Sequence, residues 1–429
     1  MKHNKIGLWT TTSIVVGNMI ASGLFMLPAT LAAYGGISLV GWIVSGCGAI
    51  CLALVFAWLS KMMPDATGGP YAYTRTTMGD FAGFLVAWGY WISVWCTNAA
   101  IAVAFVSYLT AFIPALATNS LLSVGVGLGA IWFLTWINTK GIREAGFVQL
   151  LTTILKIVPL ILITVGGLIV LNLNNFTPFN TSGLSDWSAI TSTTTLTLFA
   201  FLGLECATIP SGSVANAEQT IPRATVMGTL ITTTLYFAST VAIMGIIPPT
   251  ELISSTAPFA DGAAAIMGEG ARYVVAAGAV ISTFGALNGW IIVQGQLPYA
   301  AARNNLFPKM FAKENKKGAP AFGIVISSVL VSLLMSMNFS KSLADTYKFI
   351  ILLSTLTVLV PYLFSIIAFA IMGARQKQLS PSRLVVAALA FLFSMWAVIG
   401  SGEEIVFWGF VLLMAGLPIY GFIRVKYFD

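Results

Sequence analysis

Charged side chains are scarce in this chain of 429 residues. They make up 8% of the sequence, whereas hydrophobic residues make up 58%. Soluble domains carry about 25% charged residues, and no soluble core could bury so much apolar side chain. Lipid must therefore surround most of the surface, which predicts a single all-α membrane domain over residues 1–429.

Residues that bind metals or form nucleophilic catalytic sites are also few. The only histidine is His3, and the four cysteines, Cys47, Cys51, Cys96 and Cys206, all fall within apolar runs. A buried free cysteine behaves as a small hydrophobe, and no cluster has the spacing of a zinc site. Because no nucleophile–base pair is evident either, the sequence argues against an enzyme and predicts neither a metal nor another cofactor.

The net charge of +7 could suggest a nucleic-acid partner, but the basic residues lie in short loops rather than on one face. In a layout of twelve spans, 17 of the 21 Lys and Arg residues fall on one side, and only Arg272, Lys341 and Lys348 fall on the other. Basic loops usually face the cytoplasm. We therefore predict a protein of the inner (cytoplasmic) membrane with both termini in the cytoplasm, and no nucleic-acid partner.

The apolar runs predict twelve spans, because most are long enough to cross a hydrocarbon layer of about 30 Å at about 1.5 Å per residue. The predicted spans are 7–32, 36–60, 82–113, 121–138, 147–171, 189–212, 224–247, 268–300, 321–338, 347–373, 383–400 and 405–423. Residues 1–171 would form a first repeat of five spans, residues 189–373 a second, inverted repeat, and residues 383–423 two additional helices.

Two of these spans are interrupted where a membrane helix should run smoothly. The first contains residues 17–25, with the sequence GNMIASGLF, and the sixth contains residues 199–207, with the sequence FAFLGLECA. Main chain that leaves a helix at membrane depth must be buried in protein or line a cavity. Two such interruptions, five spans apart and opposite in direction, predict an inverted 5+5 repeat (a LeuT-like fold) with discontinuous helices 1 and 6. They also indicate a transporter's substrate site.

The first interruption predicts an anion site. Freed amides of residues 20–24 would lie at the start of the outer half of the first span. Oriented N–H groups and the helix dipole favour a carboxylate at such a position. The alternative is that Gly17 and Gly23 only let helices pack closely. The second interruption, in register with the first, favours the binding site.

Two ionisable residues fall at depth within predicted spans. Glu205 lies near the middle of the sixth span, where a carboxyl group should be paired, protonated or in contact with water. Apolar surroundings favour the protonated form, so Glu205 is a candidate proton carrier; alternatively, it is a structural group that bonds the unwound amides of the first span. Lys156 lies within the fifth span. It either snorkels to the membrane surface or docks against unwound carbonyls of the first span.

Further polar and aromatic groups at depth are candidates for the same site. Trp290 lies in the middle of the eighth span, where it either forms a wall of the pocket or simply packs. Tyr90 and Asn98 lie two helical turns apart in the third span, and Ser354 lies in the tenth. Each of these three, taken alone, is more typical of a hydrogen bond between helices than of a ligand contact.

Several motifs together resemble those of the amino acid–polyamine–organocation superfamily. They are residues 17–25 followed by LPA at 27–29, GGPYAY at 68–73, FLGLE at 201–205 and GW at 289–290. The nearest branch resembles the basic amino acid/polyamine antiporters, which include bacterial arginine/agmatine and lysine/cadaverine exchangers. The resemblance extends over nearly the whole chain, and the motifs keep their order.

The resemblance implies a twelve-helix inverted-repeat transporter, a homodimer and a set of site residues. The substrate α-carboxylate and α-amine would lie against Ile20, Ala21, Ser22, Gly23 and Leu24. The substrate side chain would extend toward Phe199, Ala200, Trp290, Asn98 and Ser354, with Phe201 and Leu202 completing the sixth-span part of the site. Phe199 would take the place of an outer aromatic lid and Tyr90 that of a pH-responsive tyrosine. Lys156, Glu205 and Tyr90 would act in gating or proton coupling.

Three departures from the family pattern bear on the substrate. Ala21 stands where the first-helix motif usually has glycine, and Phe199 where the arginine/agmatine exchanger has tryptophan. Lys156 resembles the lysine of sodium-independent amino acid exchangers and of a proton-coupled transporter. We therefore predict a sodium-independent amino acid transporter that works by exchange or proton coupling through alternating access in the lipid bilayer. The alternatives are a sodium-coupled symporter of the same fold and a polyamine/amino acid exchanger; a sensor or a channel is disfavoured.

Overall fold

The computed structural model describes residues 6–64, 68–140, 160–208, 214–337 and 341–427. These residues form helices and no β-strand, apart from an isolated bridge between Ile6 and Val214, which confirms the all-α prediction. In the described ranges, ten helical segments, some of which join consecutive helices, are long and apolar enough to cross a membrane. Two shorter apolar helices, Leu160–Ile169 and Ala321–Met337, lie where the fifth and ninth spans are predicted.

We number the α-helices along the chain. They are α1 (Leu8–Met19), α2 (Ser22–Ala32), α3 (Ser38–Met62), α4 (Pro70–Met78), α5 (Asp80–Leu109), α6 (Ala115–Thr118), α7 (Ser120–Thr139), α8 (Leu160–Ile169), α9 (Asp186–Leu198), α10 (Ala217–Ile246), α11 (Pro249–Leu252), α12 (Pro258–Met267), α13 (Glu269–Arg303), α14 (Ala321–Met337), α15 (Leu343–Arg375), α16 (Pro381–Gly400), α17 (Glu403–Met414) and α18 (Gly416–Tyr427).

Four helices lie outside the spans predicted from the sequence: α4, α6, α11 and α12. The short helices α11 and α12 occupy the connection between α10 and α13, and neither is long enough to cross a membrane. Each begins with proline in its first turn, where the missing N–H costs nothing. The ring of Phe259 in α12 packs edge-on against Phe25 in α2, at 5.7 Å between centroids. The connection therefore covers one end of the first interrupted span.

The first span is discontinuous at the point that the glycine pattern indicates. Helix α1 ends at Met19 and α2 begins at Ser22. Between them, Ile20 has φ −73° and ψ 80°, and Ala21 has φ −121° and ψ −136°, so both residues leave the helical region. The first amides of any helix lack acceptors within that helix, and the N-cap residue of α2, Ala21, forms no side-chain cap.

The second discontinuity follows α9. A 3-10 turn at Phe199–Phe201 continues from Leu198, and Leu202 is then extended, with ψ 133°. Gly203 has φ +100°, a backbone conformation that other L-residues rarely adopt. Another 3-10 turn, Cys206–Thr208, follows. The sixth span therefore leaves the α-helix over roughly the stretch where the sequence predicts it.

The two interruptions contact each other directly. A Cβ atom placed on Gly23 would lie 3.0 Å from both Cα and Cβ of Ala200. A Cβ atom placed on Gly203 would lie 3.3 Å from Cβ of Asn18. The glycines therefore permit an approach of main chain to main chain that a larger residue would block.

Tyr236 of α10 joins the two interruptions through its hydroxyl group. This fully buried tyrosine donates to the carbonyl oxygen of Met19, and it lies 3.1 Å from the carbonyl oxygen of Ala200. A carbonyl buried away from water needs a donor, and lipid cannot supply one. The single hydroxyl hydrogen of Tyr236 is thus shared between a main-chain carbonyl at each break, and it holds both breaks against α10.

We expect Tyr236→Phe to lower the melting temperature of the purified protein. Phenylalanine keeps the ring contacts to Trp42 and Phe201 but leaves buried carbonyl groups without their donor, at a cost of about 1–3 kcal/mol. Tyr273→Phe is the matched control, because Tyr273 is 49% exposed. Equal melting temperatures of the two variants would contradict the role assigned to Tyr236.

Candidate functional site

The carboxyl group of Glu205 lies within the second interruption and is fully buried. Its Oε1 accepts a hydrogen bond from the hydroxyl of Tyr90 at 2.5 Å, and its Oε2 accepts one from the hydroxyl of Tyr362 at 2.8 Å. None of the ion pairs within the described ranges includes Glu205. Among the described residues, two phenol groups rather than a cation hold this carboxyl group.

These two tyrosines connect three helical elements around Glu205. Tyr90 lies on α5 and Tyr362 on α15, and the two helices pack along each other. The family resemblance implies that Tyr90 is a pH-responsive tyrosine, whereas Tyr362 was missed. The sequence did contain a signal for Tyr362, because it is a tyrosine in the middle of an apolar span. A hydroxyl at that depth needs a hydrogen-bond partner within the protein, as the hydroxyl of Tyr90 does.

The side chain of Trp290 lies against both interruptions. It is 3% exposed, and its Nε1 is 3.4 Å from the carbonyl oxygen of Asn18. Its ring edge lies 3.4 Å from the position that a Cβ on Gly203 would take. Trp290 therefore packs beside both breaks, and its role as a wall of the substrate pocket stays a prediction.

Two buried hydroxyl groups face each other beside Phe199. The Phe199 ring packs edge-on against Tyr347 at 6.1 Å between centroids. The hydroxyl of Tyr347 faces that of Ser22 at the start of α2. Both hydroxyls are buried, and neither forms a hydrogen bond of ordinary geometry within the part of the chain that the structure describes. Because buried polar groups normally have partners, these two hydroxyls are suited to a polar ligand group.

Asn98 has a comparable free acceptor. Its Nδ2 donates to Oε1 of Gln294 at 2.6 Å, and Gln294 donates in turn to Ser328 at 2.9 Å and to the carbonyl of Ile324 at 3.1 Å. This chain of bonds holds the amide group of Asn98 in one orientation. Oδ1 of Asn98 is buried and has no donor among the residues described. The sequence indicated Asn98 but not Gln294, which orients it.

Ser354 is placed differently from Asn98, because its hydroxyl is already engaged. It lies 2.8 Å from the hydroxyl of Thr97 and donates to the carbonyl of Ser93 at 2.9 Å. Both partners are on α5, so Ser354 joins α15 to α5. These are hydrogen bonds between helices, which is the role that the sequence analysis favoured for Ser354.

The main-chain residues of the predicted site are buried around the two breaks. Ile20, Ala21, Ser22, Gly23, Leu24, Ala200, Phe201 and Leu202 are all buried. Lys156 lies outside the described residues, so its docking stays a prediction. Within the described ranges, no group of three or more His, Cys, Asp or Glu side chains could hold a metal ion.

The chain is similar to known proteins over nearly its whole length. The model of the amino acid permease family matches residues 6–420. The putative arginine/ornithine antiporter of Bacillus subtilis (strain 168) is 33% identical, over 99% of this chain and 98% of the relative. The putrescine transporter PotE of Escherichia coli (strain K12) is 32% identical, over 99% and 98%. The cadaverine/lysine antiporter of the same strain is 34% identical, over 84% and 82%.

These relatives are transporters and not enzymes, and they align with this chain over most of their length. The ten long apolar helical segments agree with a protein that crosses the membrane several times. The resemblance inferred from the motifs is thereby confirmed. The chain belongs to the amino acid permease family, within the amino acid–polyamine–organocation superfamily.

Proposed function

We propose that this protein is a sodium-independent exchanger of basic amino acids or polyamines, and that it binds substrate where its two interrupted spans meet. The observation that carries the proposal is the contact of Gly23 with Ala200, which brings the uncapped start of α2 against the second break. A helix start with unsatisfied amides is suited to a carboxylate. The relatives named as antiporters of arginine, ornithine, lysine or cadaverine support the substrate class.

The proposed pose has the substrate carboxylate at the amides of Ser22, Gly23 and Leu24. The α-amine would lie against main chain of the second interruption, near Ala200 and Leu202. Ser22 and Tyr347 would bond the carboxylate through their facing hydroxyls, which the protein itself leaves without ordinary hydrogen bonds in the described ranges. Phe199, which packs on Tyr347, would close over this end of the substrate.

The far end of the substrate would be a cation. The free Oδ1 of Asn98 is an acceptor held in place by Gln294, and it suits an ammonium or guanidinium donor. The face of Trp290 adds a favourable site for a positive charge. A diamine has no carboxylate and would use only these cation-accepting groups. One site can therefore bind both an amino acid and its decarboxylated product, as an exchanger requires.

We also propose the architecture that such exchange needs. Twelve spans would form an inverted repeat over residues 1–171 and 189–373, with residues 383–423 outside it, both termini cytoplasmic and the protein a homodimer. Spans 1, 2, 6 and 7 would rock against spans 3, 4, 8 and 9. Tyr236 on the seventh span would fasten the first and sixth together. Lys156 would link the first span to the fifth.

Exchange in proteoliposomes tests the proposal. Vesicles containing the purified protein are loaded with unlabelled arginine, ornithine, lysine, putrescine, cadaverine or alanine, and uptake of each labelled compound is measured with and without sodium. We expect saturable uptake of at least one basic amino acid or diamine, dependent on an internal partner and indifferent to sodium. Uptake that requires sodium, or flux that does not saturate, would contradict the proposal.

We expect Trp290→Ala to weaken substrate binding by about tenfold, because the loss of an aromatic face beside a cation removes about 1–2 kcal/mol. Trp88→Ala is the control. Trp88 donates from Nε1 to the carbonyl of Leu412 at 2.9 Å and packs on Phe84, away from both breaks. Binding is measured by isothermal calorimetry, together with the melting temperature of each variant. Equal losses of affinity in Trp290→Ala and Trp88→Ala would mean that Trp290 only packs between helices and does not contact the substrate.

We expect Glu205→Gln to flatten the dependence of exchange on pH. Glutamine keeps one oxygen that accepts a hydrogen bond from one of the two tyrosines, and its NH2 group can donate to the phenol oxygen of the other, but it cannot bind or release a proton in this range. The control is Glu314→Gln, because Glu314 bonds the hydroxyl of Tyr299 at an exposed position away from the breaks. The initial rate of exchange is measured from pH 5 to pH 9, a range of about four units chosen to include carboxyl titration. An unchanged profile in Glu205→Gln would assign Glu205 a purely structural role.

A further inference from the structure

Two adjoining cavities lie between α15, α17 and their neighbours, far from the interruptions. The first, a polar cleft with a volume of about 510 Å³, is lined by Lys341, Asp345, Lys348, Glu403 and Glu404 among others. The second, a groove of about 340 Å³, is lined mostly by apolar side chains, including Leu330, Leu333, Met337, Leu353, Trp408 and Leu412. Lys341, Phe349 and Glu404 line both cavities. A polar compartment thus opens onto an apolar one.

We propose that this pair of cavities binds one membrane phospholipid with an ethanolamine headgroup. One acyl chain would lie in the groove, the phosphate would contact Lys341, and the ammonium would contact Glu404. From Glu404 to Leu412 the groove follows eight residues of α17, or about 12 Å at about 1.5 Å per residue. This length is close to the thickness of one leaflet of the hydrocarbon core, about 15 Å.

The mixed charge of the cleft argues for a zwitterionic headgroup. Two ammonium groups and three carboxylates line it, so an anionic headgroup would meet more repulsion than attraction. Lys341 and Glu404 take part in none of the ion pairs formed within the described ranges. Nζ of Lys341 lies 4.6 Å from the centroid of the Phe349 ring, at the junction of cleft and groove. A phosphate joined to an ammonium by a short linker matches these two opposite charges.

Native mass spectrometry of the purified full-length chain tests the proposal. The protein is titrated with phosphatidylethanolamine and, separately, with phosphatidylglycerol of the same chain length. We expect one phosphatidylethanolamine per chain, bound at least about fivefold more tightly than phosphatidylglycerol. Leu333→Trp fills the groove and should weaken binding by about tenfold, a change of about 1.4 kcal/mol. Leu389→Trp is the matched control at an exposed position of α16, 51% accessible, and should bind as the unaltered chain does.

Charge variants separate the two contacts. We expect Lys341→Gln to weaken both lipids. Glu404→Gln should weaken phosphatidylethanolamine alone, because phosphatidylglycerol has no ammonium group. Equal phosphatidylethanolamine binding by Leu333→Trp and Leu389→Trp would overturn the proposal, and so would an equal effect of Glu404→Gln on both lipids. A loss of dimer in Leu333→Trp without a loss of lipid would assign the groove to a second copy of the chain and would likewise overturn it.

Discussion

Main chain that leaves a helix inside a membrane needs hydrogen-bond partners from protein, and this requirement organises the structure. Both interrupted spans carry polar main-chain groups that hydrocarbon cannot satisfy. The protein places the two interruptions against each other, with Gly23 on Ala200 and Gly203 on Asn18. Tyr236 then shares its hydroxyl hydrogen between carbonyl groups at both breaks. The groups left over, at the start of α2, are those we propose for the substrate.

The same requirement explains the polar residues nearby. Glu205 is held by Tyr90 and Tyr362, and Asn98 is oriented by Gln294. Each pair joins different helices, so each hydrogen bond also fixes the distance between them. The hydrogen bonds that satisfy these buried polar groups therefore also position the residues of the site. Buried groups that lack a hydrogen-bond partner among the described residues, such as Oδ1 of Asn98, therefore indicate where a ligand could bind.

The positions of the breaks could be predicted from the sequence because glycine has a local signature. The loss of helix at Ile20 and Ala21 and the positive φ of Gly203 follow from residues within a few positions of each other. The roles of Tyr236, Tyr347 and Tyr362 could not be predicted in this way. Each counts as a hydrophobic residue in the composition, and the hydroxyl of each faces a polar group more than 100 residues away along the chain, at Met19, Ser22 and Glu205 respectively. The short helices α11 and α12 were missed because they cap the bundle rather than cross the membrane.

The bond from Tyr236 to both breaks has a consequence for how tightly transport is coupled. In the proposed cycle, the two half-helices cannot swing independently, since one hydroxyl ties them to a common support. If the two interrupted spans moved independently, the site could be open to both sides of the membrane at once. Solute would then cross without being exchanged. With the two spans linked, an empty carrier cannot open the site by moving only one of them. Transport of one solute without its exchange partner would then require this hydrogen bond to break. The Tyr236 hydroxyl would therefore support the exchange stoichiometry as well as the stability of the protein.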